Sequence, residues 1–394
     1  MQGKITKLTY TILFLFFSLQ SFSNNRIDSL IREVERMDNS VDKVLSLVEI
    51  ADSLVSLETI QSLKYAQQAY SNAKKLNYNK GIGLAYYQIA KAEYYRDEYD
   101  LALQATTEAI KVFLLLNEKL HIAKTHYLAG NIYSYQNHLD NATIRLEQAL
   151  KIFHKLKETD WEADTYASLG MIYNQYEKND SALIYLNQSI SIYNSLNKPP
   201  LRKSLRAYIL KGIVLNDQEK YDDAINIYLE ALEIATQIDD TYNTHICKTN
   251  LGWTYQIIGE YQQAKKFCSE ALTSAEAVNN IYSITENNRC LGLVYSKLKK
   301  FNQAEKYWLN GLDVAKESSL KEITVDFYTD IIELYEQQGD YKKALEILKE
   351  FKIYSDTSNV QLYDNEYNLE KRRYEELENK SNHDIASAQK VINN

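Results

Sequence analysis

The stretch Leu251-Gly252-Trp253-Thr254-Tyr255-Gln256-Ile257-Ile258-Gly259-Glu260-Tyr261-Gln262-Gln263-Ala264, closed by Ala271, decides the fold. Leu251, Gly252 and Tyr255 fall on one helical stripe, while Ala264, Cys268 and Ala271 make a second at i, i+4, i+7. Between them Ile258-Gly259-Glu260 reads as a short turn, with Gly259 suited to the left-handed residue that closes a helix. The stretch is therefore two antiparallel helices. Small residues at the Gly and Ala positions let the backbones approach, and aromatics fill the groove left over.

Working outward, the same pattern recurs along the chain. Alanine stands at Ala102, Ala142, Ala182, Ala224, Ala264, Ala304 and Ala344, spaced 40, 40, 42, 40, 40 and 40. Upstream lie Gly130, Gly170, Gly212, Gly252 and Gly292, and three residues beyond most of these comes Tyr133, Tyr173, Tyr255 or Tyr295, with Tyr335 in the last copy. An aromatic or Leu precedes the alanine by three at Tyr99, Leu139, Tyr221, Tyr261, Phe301 and Tyr341. Thr159 with Glu162, and Ser319 with Glu322, read as capping boxes at the start of a first helix. Gly81 and Gly83 read as an isolated pair in a connection. The one longer step coincides with Pro199-Pro200, which block a helix harmlessly between units. One helix pair cannot bury both faces, so neighbouring pairs must stack.

The motif Leu251-Gly252-x-x-Tyr255, Gly259-x-Tyr261-x-x-Ala264, Ala271 resembles the tetratricopeptide repeat family over about residues 83 to 352. A degenerate unit around Ala66, Tyr70 and Ala73 extends the resemblance towards residue 42. The period of 40 rather than the usual 34 implies longer helices, and the motif tyrosine is replaced by Glu93 in the first full copy and Leu215 in the fourth. The resemblance implies an all-α, right-handed superhelical solenoid of antiparallel helix pairs with a C-terminal charged helix. HEAT-like repeats share the period and lack the motif. The expected organisation is a signal peptide over 1–23, N-terminal helices with the degenerate repeat over 24–82, seven repeats over 83–354, and a charged helix over 355–394.

Composition agrees. The chain of 394 residues has 11 Gly and 2 Pro, where about 28 and about 20 are ordinary. A shortage that deep argues against turn-rich β folds and glycine-lined phosphate loops. A net charge of −8 disfavours a nucleic-acid partner, because phosphate contacts need clustered Lys and Arg. Lys4 and Lys7, then the apolar run around Ile12 to Leu19, then Ser21-Phe22-Ser23, make the three-part pattern of a secretory signal. Export to the periplasm follows as the expectation, with an uncleaved anchor or a short buried helix as the alternative. No span remains in the expected mature chain. Cys247, Cys268 and Cys290 show no metal-site spacing. Two readings stay open for them: Cys268 and Cys290 paired across packed helices, or all three as buried small hydrophobes.

Catalytic chemistry finds no support. The six histidines include no HExxH, and GxxxxGK[ST], GxSxG and GxGxxG are absent. No catalytic residue, metal or cofactor is expected. What remains is the stripe that lines the concave groove in the family. It holds Tyr87, Lys91 and Tyr94, then Tyr127 and Asn131 with Lys124 and Ser134, and Tyr95 and Tyr135 alongside. Arg206, Asn216, Trp253 and Gln256 follow, then Arg289 and Lys297, and an acidic last unit of Asp326, Asp330, Glu333 and Glu336. Tyr, Trp and Arg are the side chains that anchor partners. A protein or peptide partner is therefore expected, the plain alternative being inter-repeat packing and solvated charge. The Lys/Asn clamp with which some relatives grip a terminal carboxylate is not reproduced at the matching positions.

In the tail, Tyr363, Tyr367, Tyr374 and Leu377 make about one and a half heptads. A short coiled coil that dimerises the chain and a capping helix are both open. Signal segment, long-helix repeats and charged helix together resemble the sensor half of envelope-anchored signalling proteins. A sensor subunit, or a truncated relative of a repeat-containing histidine kinase or transcriptional regulator, is thus the second functional reading.

Overall fold

The computed structural model describes residues 23–196, 200–358 and 367–380, all of them helix or short connection. The segment read as a signal, Pro199 and Tyr363 lie outside those residues, apart from Ser23. Two compact units result, one ending at Asp240 and one beginning at Thr241. The first contains α1 (Ser23–Arg36), α2 (Val41–Leu54), α3 (Thr59–Lys75), α4 (Asn79–Tyr95), α5 (Tyr99–Leu115), α6 (Lys119–Tyr135), α7 (Leu139–Leu156), α8 (Thr159–Gln175), α9 (Asn179–Ser195), α10 (Leu201–Asp217) and α11 (Tyr221–Gln237). The second contains α12 (Thr241–Ile257), α13 (Tyr261–Ala277), α14 (Ile281–Lys297), α15 (Phe301–Glu317), α16 (Lys321–Gln338) and α17 (Tyr341–Ser358), followed by α18 (367–380).

From α3 to α17 the helix starts recur at one constant interval, lengthened once, before α10. Helices such as α4 and α5 run 17 residues each. A short connection completes the interval, and two intervals make the repeat seen in the sequence. From α3 onward the connections, apart from the one between α9 and α10, are closed the same way. After α4, Asp97 adopts φ +61°, its N–H bonds Tyr94 O at 3.2 Å, and the N–H of Glu98 reaches back to Glu93 O at 3.0 Å. That 6→1 bond satisfies a carbonyl the helix end would otherwise strand. Gly259 fills the left-handed position as its sequence suggests, at φ +84°. Gly339 does so at φ +72°, and the other described left-handed positions are held by residues with side chains, among them Asn117, Lys157, Glu177, Lys299 and Ser319. The turn thus overrides residue preference, and the scarcity of glycine follows.

This geometry corrects the expected capping boxes. Thr159 is already inside α8, whose N-cap residue is Glu158 with no side-chain cap bond, and Ser319 is the left-handed residue at φ +57°. Side-chain caps occur instead on the residue after the left-handed one, where Asn280 Oδ1 accepts from the Ser283 N–H at 3.0 Å and Asp340 Oδ1 from the Lys343 N–H at 3.1 Å. Gly81 and Gly83 likewise lie within α4 rather than in a connection, where Cβ atoms would overlap Tyr78 and Phe113. In the degenerate unit the alanine position is taken by Ser62, one full period before Ala102; its hydroxyl donates to Ala51 O at 2.7 Å.

Inside the pairs the motif glycines face large side chains, except Gly252, which faces Cys268. A Cβ on Gly130 would sit 2.7 Å from Leu146, and one on Gly292 would overlap the Trp308 indole. Ala102, Ala142, Ala182, Ala264 and Ala304 are fully buried. Cys268 of α13 and Cys290 of α14 form a disulfide, with Cα atoms 6.6 Å apart, and Cys247 is buried. Two pairs are thereby joined covalently in the second unit.

The tail helix packs within its own chain. Tyr374 is 3% exposed, joins the core formed with Phe327, Leu334 and Phe351, and donates its hydroxyl to Glu336 at 2.6 Å. Tyr367 packs against the same core. Tyr374 stands one period after Leu334 and two after Val294, both buried on first helices of their pairs, so α18 continues the register as one more such helix.

Candidate functional site

The first helix of each pair presents a recurring stripe. The position of Lys124 recurs at Asp164, Arg206, Ile246, Glu286 and Asp326, spaced 40, 42, 40, 40 and 40. In the first unit α4, α6, α8 and α10 bring most of the expected residues together. Tyr94 packs edge-on against Tyr135 with ring centroids 5.4 Å apart, and Tyr99 stacks on Tyr135 at 6.3 Å. Tyr127 meets Trp161 edge-on at 5.5 Å, and Lys124 lies 4.9 Å over that indole. Arg206 reaches across α8 to donate from Nη1 to the Tyr127 hydroxyl at 3.2 Å, while its Nη2 lies 4.0 Å from Met171 Sδ. Lys91 pairs with Asp52 of α2, which also accepts from Gln88 at 3.1 Å.

Burial sets the electrostatics here. Desolvation raises the hydroxyl pKa values of Tyr87, Tyr94, Tyr95 and Tyr135, so these phenols are neutral donors throughout the biological range. Burial alone would lower Arg206, but Tyr127, Tyr135 and Asp164 outweigh it and leave it raised. Asp164 accepts the Tyr193 hydroxyl and pairs with Lys203 at 3.4 Å. Arg206 is thus a permanent cation lodged among phenols.

In the second unit Trp253 and Arg289 come together and Lys297 stands apart. Arg289 is occupied: its guanidinium pairs with Asp326 and, at 2.8 Å, with Asp330. Trp253 stands with its ring 5.9 Å from that guanidinium. Lys297 is exposed near the C-terminal end of α14. Glu286, one turn before Arg289, is 3% exposed. Its desolvation pushes the carboxyl up to about 7, against the pull of Arg289 and with the repulsion of Asp326 and Asp330. Asp330 is likewise pushed up to about 6 by burial.

Among the described residues, five of the ten buried side-chain polar atoms without a hydrogen-bond partner lie on this stripe: Asn131 Oδ1, Asn174 Oδ1 and Arg206 Nε in the first unit, and Trp253 Nε1 and Glu286 Oε1 in the second. Such atoms are uncommon in protein interiors and call for an explanation. Asp164, Trp161, Tyr193 and Glu286 were missed by the sequence reading. Counting whole periods on from Lys124 finds Asp164 and Glu286; Trp161 and Tyr193 carry no comparable signal, since their role comes from packing across helices.

Helix pairs, fixed turns and one polar stripe define a helical-repeat scaffold. A model of the tetratricopeptide repeat matches residues 121–195 and 203–277. Those residues are tetratricopeptide repeats. No curated protein sequence matches the chain significantly. Among solved structures it is similar to a signal transduction ATPase with numerous domains carrying a tetratricopeptide repeat sensor, from Pyrococcus horikoshii: 15% identity, TM-score 0.64, over 91% of this chain and 55% of that one. The apo quorum sensor NprR from B. thuringiensis is 18% identical with TM-score 0.56, over 74% of this chain and 81% of NprR. A Rap protein complexed with Competence and Sporulation Factor is 15% identical with TM-score 0.56, over 82% and 93% respectively. Among the described residues no helix is long and apolar enough to cross a membrane.

Proposed function

We propose that the chain is an exported, non-catalytic scaffold that holds a protein or peptide segment along the inner stripe of its repeats. The observation carrying this reading is the row of buried, unpartnered polar atoms on that stripe, from Asn131 and Asn174 to Arg206 in the first unit. A partner backbone or side chain supplies what these atoms lack, and the flanking tyrosines add contact area at low entropy cost. Tyr87, Lys91, Tyr94, Tyr127, Asn131, Tyr135 and Arg206 form this surface in the first unit, and Trp253, Arg289 and Lys297 belong to that of the second. The Rap structure, complexed with Competence and Sporulation Factor, lends support by its likeness in fold. The Cys268–Cys290 disulfide supports an oxidising compartment, as export requires. The packing of Tyr374 within its own chain favours the scaffold over a sensor that dimerises through its tail.

The test is affinity capture from envelope extracts of the host with the wild-type chain and with Arg206→Gln/Tyr127→Phe. Loss of the main captured partner is expected, and undiminished capture overturns the groove reading. Export is checked by N-terminal sequencing of the native protein: a start near Asn24 is expected, and a start at Met1 overturns it.

A further inference from the structure

We propose that the second unit carries a subsite for an organic cation, a Lys or Arg side chain or a free amino terminus, built by Glu286, Asp326, Asp330 and Trp253 around Arg289. This deepens the groove reading and rests on it.

Charge comes first. Arg289 answers Asp326 and Asp330 at once, through Nη1 and Nε, so a single guanidinium faces two carboxylates before Glu286 is considered. Glu286 adds a third. Its carboxyl lies 3% exposed within the field of all three groups, and its Oε1 has no hydrogen-bond partner. With every acid ionised the cluster is two cations short of neutrality. Glu322 and Glu333 on α16 add further negative potential at Asp326 and Asp330, and Arg289 is the cation that acts on them. Burial raises all three carboxyls, so proton uptake as the pH falls relieves part of the excess.

Shape comes second. Asp326 keeps 29% of its side chain exposed, so the cluster is open on that side. Trp253 is partly buried, its ring already beside a guanidinium, and an indole is the best side-chain surface for a second cation. Its Nε1, which acts on Glu286 in the sense that favours ionisation, is itself without a full hydrogen bond. An entering cation would therefore lie on the indole, pair with Asp326, and draw the proton off Glu286. A metal ion fits less well, because among the described residues no three His, Cys, Asp or Glu side chains are grouped to hold one.

The experiment uses the chain without its signal segment, titrated calorimetrically with capped tripeptides: acetyl-Ala-Arg-Ala-amide, acetyl-Ala-Lys-Ala-amide and the neutral acetyl-Ala-Gln-Ala-amide. Uncapped Ala-Ala-Ala-amide tests the amino terminus, and calcium chloride tests a metal. At pH 8 one cationic probe should bind about tenfold more tightly than the neutral one, and at pH 5 the preference should shrink to about threefold or less. Glu286→Gln, which mimics the protonated acid and should fold, should abolish the preference, as should Asp326→Asn; the exposed Glu317→Gln should keep it. Equal binding of neutral and cationic probes overturns the subsite, as does calcium binding that no cationic probe displaces, or a preference that survives both Glu286→Gln and Asp326→Asn. Failure here, with partner capture still sensitive to Arg206→Gln/Tyr127→Phe, removes the subsite and leaves the groove reading standing.

Discussion

The inner stripes of the two units use one backbone and one register for opposite chemistry. At equivalent positions the first unit places Lys124, Asp164 and Arg206, and the second Ile246, Glu286 and Asp326. Around Arg206 the neighbours are the phenols of Tyr127 and Tyr135, and Asp164, which also acts on it, has Tyr193 and Lys203 as direct partners. Around Arg289 the neighbours are carboxylates that compete for it. The comparison teaches that the repeat decides where a side chain stands and leaves its charge free to vary. It also makes two buried arginines unequal: removal of one strands no charge, and removal of the other strands three.

The largest expected effect tests that inequality. Arg289→Met should destabilise the second unit by about 3–5 kcal/mol at pH 8, the cost of leaving buried charges unpaired. Arg206→Met should cost less, about 1 kcal/mol, since it breaks a bond to a phenol and leaves Asp164 with Lys203 and Tyr193. Denaturant melts read through hydrogen exchange in each unit separate the two, because repeat stability is local. Equal losses would break the comparison.

Acidity gives the next effect. Glu286 is held at about 7 against its ordinary 4.5, so the folded state binds a proton that the unfolded chain releases. The sign follows: stability is highest below about pH 4.5, falls as pH rises towards 7, and is flat beyond. That loss amounts to about 3 kcal/mol for this group alone. Protection of α12 to α16 should fall across this window in the wild type and fall less in Glu286→Gln, where Asp330, raised to about 6, still contributes, while α4 to α9, whose raised groups are mostly tyrosines, should not follow.

The disulfide sharpens the same boundary. Cys268→Ala/Cys290→Ala opens a link with a sequence separation of 22 residues, and should cost about 3 kcal/mol in the second unit. Reductant should reproduce the loss, and the first unit should be indifferent. The smallest effect concerns the turns. Lys157→Gly in the first unit should stabilise by about 1 kcal/mol, and Gly259→Ala in the second should cost a similar amount, because each changes only the strain of a left-handed residue. No atom lies within 4 Å of a Cβ built on Gly259, so packing does not confuse the measurement.

Helix pairing was legible in the sequence because close packing leaves a mark: only a small residue fits where Gly130 meets Leu146 or Gly292 meets Trp308. The turns were less legible, since Lys157, Glu177 and Lys299 occupy a conformation that usually advertises itself with glycine. Their strain is carried by the helices on either side, which dictate the spacing. The tyrosines of the first two full repeats were found by count, yet their ordering around Arg206 came from α10, two pairs away. Arg289 was read as an anchor for a partner; its engagement by Asp326 and Asp330 depends on how α14 and α16 pack, which spacing alone does not give. Glu286 escaped because an inner acid on a helix looks like any other until its burial is known.

The phase kept by α18 has a genetic meaning. Val294, Leu334 and Tyr374 stand a whole period apart, so a tandem copy or deletion of one period adds or removes a helix pair and leaves every other pair facing as before. A single codon gained inside a helix would instead turn the stripe beyond it by about 100°. Lengthening by duplication is therefore tolerated where point insertion is not, and a duplicated stripe is free to drift in charge. Two inner faces as different as those of Arg206 and Arg289 are what such copying followed by drift leaves behind.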